Sequence, residues 1–379
     1  MKKFLAVFLI ILLLCGCSVK EPDLKENNND AMLYGMWVTY SELNGIADNF
    51  DYGFEQLCIK AKDMGITALF VHVRAFCDSI YPSGIFPKNQ LAQQYTGDAL
   101  STMINLCKKY SLEFHGWINP YRVALSGDIA SLDPLSPVIS NPSLLGQTQN
   151  GLYLNPASAH ARRLVIDGVR EIITAYDIDG IHFDDYFYPT TDESFDIKEY
   201  TQYASSAVNP LSLDDWRRIN VNMLISGVYS AIKSSGKDVC FSVSPSADIE
   251  KNYGILYADV QSWCKAGYID AVIPQLYFGF DYPIEKFTFE QLTIDWIKLT
   301  QNTDTTLYIG LAPYKLDTDN SLDNAEWENG TDIVARQLLH IKNQADIKGA
   351  VFFSSSYLFK EEENFKKQNE NIKNIIKEK

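Results

Sequence analysis

Tyr176-Asp-Ile-Asp-Gly-Ile-His-Phe-Asp-Asp-Tyr-Phe-Tyr-Pro189 begins as an apolar strand and ends in two adjacent carboxylates beside three aromatic rings. Side chains alternate between the two faces of a strand, so Ile181 and Phe183 share one face and His182 and Asp184 share the other. If the apolar pair packs against helices, Asp184 points into a barrel near its carboxyl-terminal mouth, where barrel enzymes keep their catalytic groups. A carboxylate flanked by aromatic rings suits sugar chemistry, because the rings offer a stacking surface and raise the pKa of the acid by desolvation. The simpler alternative is that Asp184 and Asp185 form a solvated turn at the end of the strand.

Seven further apolar segments have the character of strands, and they alternate with segments of helical periodicity. The loops after the second, third and fourth strands are long, whereas the returns from helix to strand are short, and a barrel is typically elaborated on its catalytic face in this way. The sequence therefore predicts an α/β fold, a (β/α)8 TIM barrel over residues 32–379, with the charged tail as a last amphipathic helix. An open doubly wound sheet is the alternative, but no glycine-rich phosphate loop accompanies it. The eight predicted strands are Leu33–Tyr40, Ile66–Arg74, Leu112–Asn119, the Tyr176 segment, Val239–Ser244, Ile269–Tyr277, Thr306–Leu311 and Lys348–Ser354.

The N-terminus has the pattern of a lipoprotein signal peptide. Lys2 and Lys3 precede a short apolar run, and Leu14-Cys-Gly-Cys17 follows at its end. The apolar run is too short to span a membrane as a mature helix. We expect residues 1–16 to be removed, Cys17 to be lipidated, and the polar residues 17–31 to form a flexible tether. The protein is then anchored by lipid in the cell membrane and faces outside the cytoplasm. An ordinary secretory signal is the alternative.

The chain is acidic, with a formal net charge of −15, or −17 once Lys2 and Lys3 are lost with the signal. This charge argues against nucleic acid or an anionic lipid surface as a partner. The five cysteines beyond the signal region lack the spacing of metal ligands and form no obvious disulfide framework. We therefore expect neither a cofactor nor a bound metal.

Alternation applied to each strand predicts a ring of polar side chains at the barrel mouth. The upper inward layer comprises Arg74, Asn119, Asp184, Ser244, Gln275 and Tyr277, with Trp37 and Trp117 below or beside it. Hydrogen-bonding groups ringed by aromatics form a surface suited to sugars, although a polar layer satisfied internally is the alternative. His72, His115 and His182 also point inward. They raise the possibility of a metal site, but three separate strands and the absence of His-x-His favour structural roles.

Several motifs resemble one bacterial family. They are Tyr34-Gly-Met-Trp-Val-Thr39, Val73-Arg74 with Tyr81-Pro-Ser83, Trp117-Ile-Asn-Pro-Tyr-Arg122, the Tyr176 segment, Ser244-Pro245, Pro274-Gln-Leu-Tyr277 and Phe352-Phe-Ser354. Because these motifs stand in this order, the chain resembles members of the glycosyl hydrolase-like family 10, which is rich in cell-envelope lipoproteins. The resemblance covers about Leu33 to Leu358. It implies a barrel glycosidase, and members are linked to cutting peptidoglycan glycan strands that have lost their stem peptides.

The predicted catalytic residues are Asp184, as acid/base, and Asp185, as the nearest second carboxylate. No Glu follows the seventh strand, where many retaining barrels place their nucleophile. Asp179-Gly-x-His-x-Asp184-x-Tyr186 loosely echoes the catalytic strand of substrate-assisted chitinases, so an N-acetyl group of the substrate is an alternative nucleophile. The predicted substrate-binding residues are Trp37, His72, Arg74, Trp117, Asn119, Tyr121, Arg122, His182, Tyr186, Ser244, Gln275 and Tyr277.

Three functions fit these residues. The first is an O-glycosyl hydrolase acting on a cell-envelope polysaccharide. The second is a sugar-binding lipoprotein that has kept the cleft without turnover. The third is a metal-dependent deacetylase or amidohydrolase on the same barrel.

Overall fold

The computed structural model describes residues 32–317 and 326–378, and these residues form a closed parallel barrel. The predicted signal peptide, tether and lipidation site at Cys17 lie outside the described residues. Around the barrel the strand order is β1-β11-β10-β9-β8-β7-β3-β2. The predicted (β/α)8 class is therefore confirmed. The barrel strands are β1 (Leu33–Val38), β2 (Ala68–Arg74), β3 (Glu113–Ile118), β7 (Gly180–Phe183), β8 (Cys240–Val243), β9 (Ala271–Val272), β10 (Thr306–Leu311) and β11 (Ile347–Phe352).

The helices surround the barrel and decorate its loops. Gly65 ends the first long helix, Phe50–Met64, with a left-handed φ of 93° that glycine adopts without strain. Within the described residues, no helix is long and apolar enough to cross a membrane. The helices are α1 (Tyr40–Gly45), α2 (Phe50–Met64), α3 (Gln90–Gln94), α4 (Ala99–Lys109), α5 (Pro137–Ser140), α6 (Ala159–Ala175), α7 (Ile197–Ser206), α8 (Leu213–Lys233), α9 (Ile249–Gly254), α10 (Val260–Ala266), α11 (Phe289–Thr300), α12 (Glu326–Asn329), α13 (Ile333–Lys342), α14 (Ser355–Leu358) and α15 (Glu363–Lys377).

Alternation along the strands produces two apolar layers. The outer layer packs the strands against the helices and includes Ile181 and Phe183. The inner layer fills the barrel with large rings, among them Trp37, Phe70 and Trp117. Gly180 belongs to this interior, because a Cβ at that position would collide with the ring of His115. The barrel is thus a packed core below its mouth, not a pore.

Strand β9 is shorter than the sequence predicts. The apolar run Ile269–Tyr277 predicts a long strand, but regular pairing covers Ala271–Val272 alone. Pro274 has no N–H to donate, so the ladder is interrupted there. Gln275 restores isolated bridges to Ser246 and Gly310, and the polypeptide still reaches the barrel mouth.

The long loop after β3 contains a small sheet that the sequence did not predict. It consists of β4 (Arg122–Ala124), β5 (Leu145–Thr148) and β6 (Gly151–Leu154), paired antiparallel in the order β4-β6-β5. Tyr121 O accepts a hydrogen bond from Leu154 N at 2.7 Å, which ties the start of the loop to its end. The loop is therefore an ordered wall beside the mouth.

Candidate active site

Asp184 immediately follows β7 and lies in the barrel mouth, on the inward face that alternation predicts. Its side chain is deeply buried, with the whole residue 3% exposed. Trp117, at the end of β3, donates from Nε1 to Asp184 Oδ2 at 3.1 Å. Asn119 donates from Nδ2 to the same oxygen at 3.2 Å. Strand β3 and the residue directly after it thus supply both donors that hold one carboxylate oxygen.

The hydrogen bonds of Asp184 decide where its proton resides. The orientation of the Asn119 amide is fixed, because its Oδ1 accepts from Arg122 N at 3.0 Å and leaves Nδ2 to face Asp184. The indole and amide nitrogens can only donate, so both lone pairs of Oδ2 are engaged. The proton of the neutral carboxyl is therefore carried by Oδ1. That oxygen has a longer bond, 3.4 Å, from the backbone N of Tyr186.

The pKa of Asp184 is raised from its ordinary value to about 7. Burial is the largest cause, because it disfavours the charged form, and the negative charge of Asp185 adds to it. The Arg122 guanidinium and the hydrogen bond from Trp117 act in the opposite direction. A carboxyl with a pKa near neutrality holds a proton that it can also give up, as a general acid requires.

Asp185 diverges from Asp184 and faces the β8–β9 side of the mouth. Its partner there is the Gln275 side chain, whose hydrogen bond lowers the pKa of Asp185, while burial raises that pKa more strongly. Gln275 Nε2 in turn donates to the backbone O of Ser244 at 2.9 Å. The structure thus brings Gln275 to the mouth, where it supports the second carboxylate.

His182 lies below the mouth and is fully engaged by its neighbours. Its Nε2 accepts from Trp37 Nε1 at 3.1 Å and is 3.1 Å from Ser244 Oγ. Because the Trp37 nitrogen can only donate, Nε2 carries no proton, and Nδ1 donates to Ser242 Oγ at 2.8 Å. Burial lowers the pKa of His182 well below its ordinary value, which agrees with a neutral ring. Trp37, His182 and Ser244 therefore support the floor of the site from within the core.

The other two inward histidines lie apart from each other. The His72 ring stacks on Trp117 with centroids 3.3 Å apart, and its Nδ1 accepts from the backbone N of Tyr40 at 3.3 Å. His115 lies deeper, stacked on Phe70. Across residues 32–317 and 326–378, no group of three His, Cys, Asp or Glu side chains is placed to hold a metal ion. His72 thus backs the indole that contacts Asp184.

Arg122 and Tyr186 form one rim of the mouth. The Arg122 guanidinium lies 4.0 Å from the centre of the Tyr186 ring, and Tyr186 is 49% exposed. This pair presents a charged and a flat surface directly beside Asp184. Contact of both residues with a substrate stays a prediction.

The prediction that Arg74 faces the barrel interior is wrong. A register shift separates His72, opposite Trp117, from Arg74, opposite Ile118, and such a bulge reverses the alternation. The Arg74 guanidinium lies 4.4 Å from the Phe86 ring. A Cβ on Gly168 of α6 would collide with Arg74 Nη1. The side chain is therefore packed between the barrel and helix α6, outside the mouth.

Tyr121 is also not placed to contact a substrate. It is 0% exposed and belongs to the outer apolar layer, where burial raises the pKa of its hydroxyl. Tyr121 directly precedes β4, and its ring packs within this apolar layer. Its predicted role in binding is corrected to a packing role.

The opposite rim is an aromatic wall that the sequence revealed only in part. Tyr277 was predicted there, and it contacts Tyr314 and Phe353 with ring centroids 5.8 and 6.2 Å apart. Phe353 also lies 6.0 Å from Trp37 and 6.4 Å from Trp117. The signal for Phe353 was its place near the end of the eighth predicted strand, within Phe352-Phe-Ser354. Tyr314 gave none, since it follows the seventh strand within an ordinary loop pattern.

Glu42 fixes the segment that carries Phe353, and the sequence gave no role to this residue. Its Oε1 accepts from Ser354 Oγ at 2.8 Å and Ser355 Oγ at 3.0 Å. Its Oε2 accepts from Thr39 N at 2.6 Å. The carboxylate therefore joins the end of β11 to the end of β1 and holds the aromatic wall in place.

The family described as Glycosyl hydrolase-like 10 matches residues 33–329 of this chain. Glycosyl hydrolase YngK of Bacillus subtilis (strain 168) is 30% identical over 385 residues, covering 93% of this chain and 74% of that protein. Glycosyl hydrolase DigH of Escherichia coli (strain K12) is 28% identical over 329 residues, covering 78% of this chain and 74% of that protein.

Two solved structures share the barrel. The PgaB (BpsB) glycoside hydrolase domain from Bordetella bronchiseptica superposes with a TM-score of 0.55 at 12% identity, covering 91% of this chain and 98% of that chain. The catalytic domain of the β-amylase from Paenibacillus polymyxa gives a TM-score of 0.59 at 10% identity, covering 92% and 99%. At such identities the likeness concerns the fold alone.

Proposed function

Since this chain belongs to the Glycosyl hydrolase-like 10 family, we propose that it is a glycoside hydrolase that cuts aminosugar glycan strands of peptidoglycan outside the cytoplasm. Asp184 is the proposed general acid, kept protonated by its burial and by the charge of the Asp185 carboxylate. The observation that supports this role best is a buried carboxyl in the barrel mouth whose pKa lies at about 7. Its Oδ2 is held by Trp117 and Asn119.

The proposed first step is proton transfer from Asp184 Oδ1 to the glycosidic oxygen. The bond between that oxygen and the anomeric carbon breaks, and the leaving sugar departs with the proton. Asp184 becomes a carboxylate, which the N–H groups of Trp117 and Asn119 stabilise without moving. The aromatic wall and the Arg122–Tyr186 rim flank the sugars on either side of the bond.

Two routes complete the reaction. In the first, water attacks the anomeric carbon with help from Asp185. In the second, the acetamido oxygen of the substrate attacks, and water then opens the resulting ring. The anomeric configuration of the first product distinguishes them, because attack by the acetamido group and then by water retains the configuration, whereas direct displacement by water inverts it.

The function is tested with purified glycan strands, with and without stem peptides, and mass spectrometry of the products. We expect shortened strands from peptide-free substrate, and Asp184→Asn should lower the rate by about 10²–10⁴. Binding without new products, by a folded parent protein, would instead support a carbohydrate-binding lipoprotein. Release of acetate without chain cleavage would support a deacetylase.

We also propose that the protein is tethered to the membrane through lipid on Cys17. The support is the sequence Leu14-Cys-Gly-Cys17 after an apolar run. Cys17→Ala is expected to leave the membrane fraction and lose incorporation of labelled fatty acid, whereas Cys15→Ala should behave like the parent. Equal membrane retention and labelling of the Cys17→Ala protein would contradict the anchor.

A further inference from the structure

A groove of about 500 Å³ is lined by residues of the loops that follow β2 and β3. One wall is the loop after β2, residues 76–93, and the other is the segment 123–136 after β3. Both loops start just beyond a hydrogen bond of 2.9 Å from Asn119 N to Arg74 O. The same Asn119 contacts Asp184, so both loops start beside the candidate active site.

The β2 wall of the groove is held by its own backbone. Ser79 N donates to Pro87 O at 2.9 Å, and Asn89 N donates to Ser79 O at 2.8 Å. Ser79 Oγ adds a hydrogen bond to Tyr81 O at 2.9 Å. The wall needs no ligand to take this shape, and a preformed wall lowers the entropic cost of binding.

The lining combines a flat ring with neutral and charged hydrogen-bonding groups. Phe76 is half-buried and presents its ring to the groove, while Gln93 and Lys88 are exposed and Asp78 is partly buried. Ser136 is 3% exposed. Its hydroxyl has no hydrogen-bond partner beyond the adjacent Cys77 thiol. A buried hydroxyl without a full set of partners favours a ligand that brings polar groups.

A path of ring contacts runs from the groove to the acid. Phe76 contacts Tyr40, with centroids 5.1 Å apart, and Tyr40 contacts His72, with centroids 5.7 Å apart. His72 stacks on Trp117, which donates to Asp184. Three ring contacts thus separate Phe76 from Trp117, so the groove is distal to Asp184.

From this geometry we propose that the groove is a distal subsite for an aminosugar chain that extends out of the mouth. The inference rests on the proposed function. The Phe76 ring stacks on a sugar face, and the amide of Gln93 pairs with hydroxyl or acetamido groups. Basic Lys88 and acidic Asp78 and Asp133 occur together in the lining, so the groove does not require a charged ligand. Its occupation makes long chains better substrates than short ones and directs cleavage to the interior of a chain.

The test compares Phe76→Ala with the parent protein on β-1,4-linked N-acetylglucosamine oligomers. Phe287→Ala is the matched control, because Phe287 is also half-buried and lines a groove of about 460 Å³ elsewhere on the surface. Phe76→Ala should lower the affinity and kcat/KM for the hexasaccharide by about tenfold, the equivalent of about 1.4 kcal/mol. The disaccharide should be unaffected, and Phe287→Ala should change neither.

Equal losses on the disaccharide and the hexasaccharide, or no loss on either, would overturn the subsite. A loss with Phe287→Ala that matches the loss with Phe76→Ala would do the same. Calorimetric titration of each protein separates this proposal from the proposed function. If the hexasaccharide binds in a Phe76-dependent manner but no oligomer is cut, the subsite stands and catalysis fails. If oligomers are cut without dependence on Phe76, catalysis stands and the subsite fails.

Discussion

Trp117→Phe should raise the pKa of Asp184 and extend activity to higher pH. The indole N–H at 3.1 Å from Oδ2 stabilises the carboxylate form and so lowers this pKa. A hydrogen bond to a charged group contributes about 1.5–3 kcal/mol. The neutral carboxyl also accepts this hydrogen bond, although more weakly. The bond therefore favours the ionised form over the neutral form by about 1–1.5 kcal/mol. At about 1.36 kcal/mol per pKa unit, the pKa rises by roughly one unit above its value of about 7.

The pH dependence of kcat on peptide-free glycan strands measures this shift. A general acid must be protonated, so activity falls as pH rises through its pKa, and this alkaline limb should move up by about one unit. The matched control is Trp37→Phe, which removes the N–H that donates to His182 instead and should leave the limb in place. An alkaline limb that stays fixed or moves down in Trp117→Phe would refute Asp184 as the group that titrates.

Three further changes test other parts of the site. Asp185→Asn should shift the alkaline limb down, because the Asp185 charge raises the pKa of Asp184, and an upward shift measured in the same assay would contradict their coupling. Asp184→Asn should stabilise the protein increasingly from about pH 4 to pH 7. The native carboxyl is neutral there while the unfolded one is ionised, so denaturant unfolding should show a gain of a few kcal/mol at most, and a gain that does not grow with pH would contradict the raised pKa. Phe353→Ala should weaken oligosaccharide binding by about 1 kcal/mol if the aromatic wall stacks on sugar; calorimetry with an unchanged affinity would exclude that role.

The barrel could be predicted from the sequence because its signals are local. Alternation of apolar residues in Gly180–Phe183 determines which side chains face the helices, and Gly65 ends α2 through its own backbone conformation. The position of Asp184 follows from the same alternation, because it comes directly after a strand. Short-range geometry of this kind is encoded by neighbouring residues.

Departures from this pattern arise where one residue interrupts it or where distant segments meet. The bulge between His72 and Arg74 reverses the side chain of Arg74, and Pro274 shortens β9. The folding of the β3 loop into a small sheet buries Tyr121. These features cannot be predicted from the periodicity of the sequence, because each depends on pairing with another part of the chain.

The chemical character of Asp184 was decided by the tertiary structure. The sequence placed a carboxylate at the barrel mouth among aromatic residues, but its donors, Trp117 and Asn119, come from another strand. The wall of Tyr277, Tyr314 and Phe353 likewise joins the ends of three strands. A pKa depends on burial and on charges that lie close in space. Closure of the barrel brings these groups together. The sequence therefore determines which residue lies at the mouth and on which strand, whereas the fold determines the pKa of that residue.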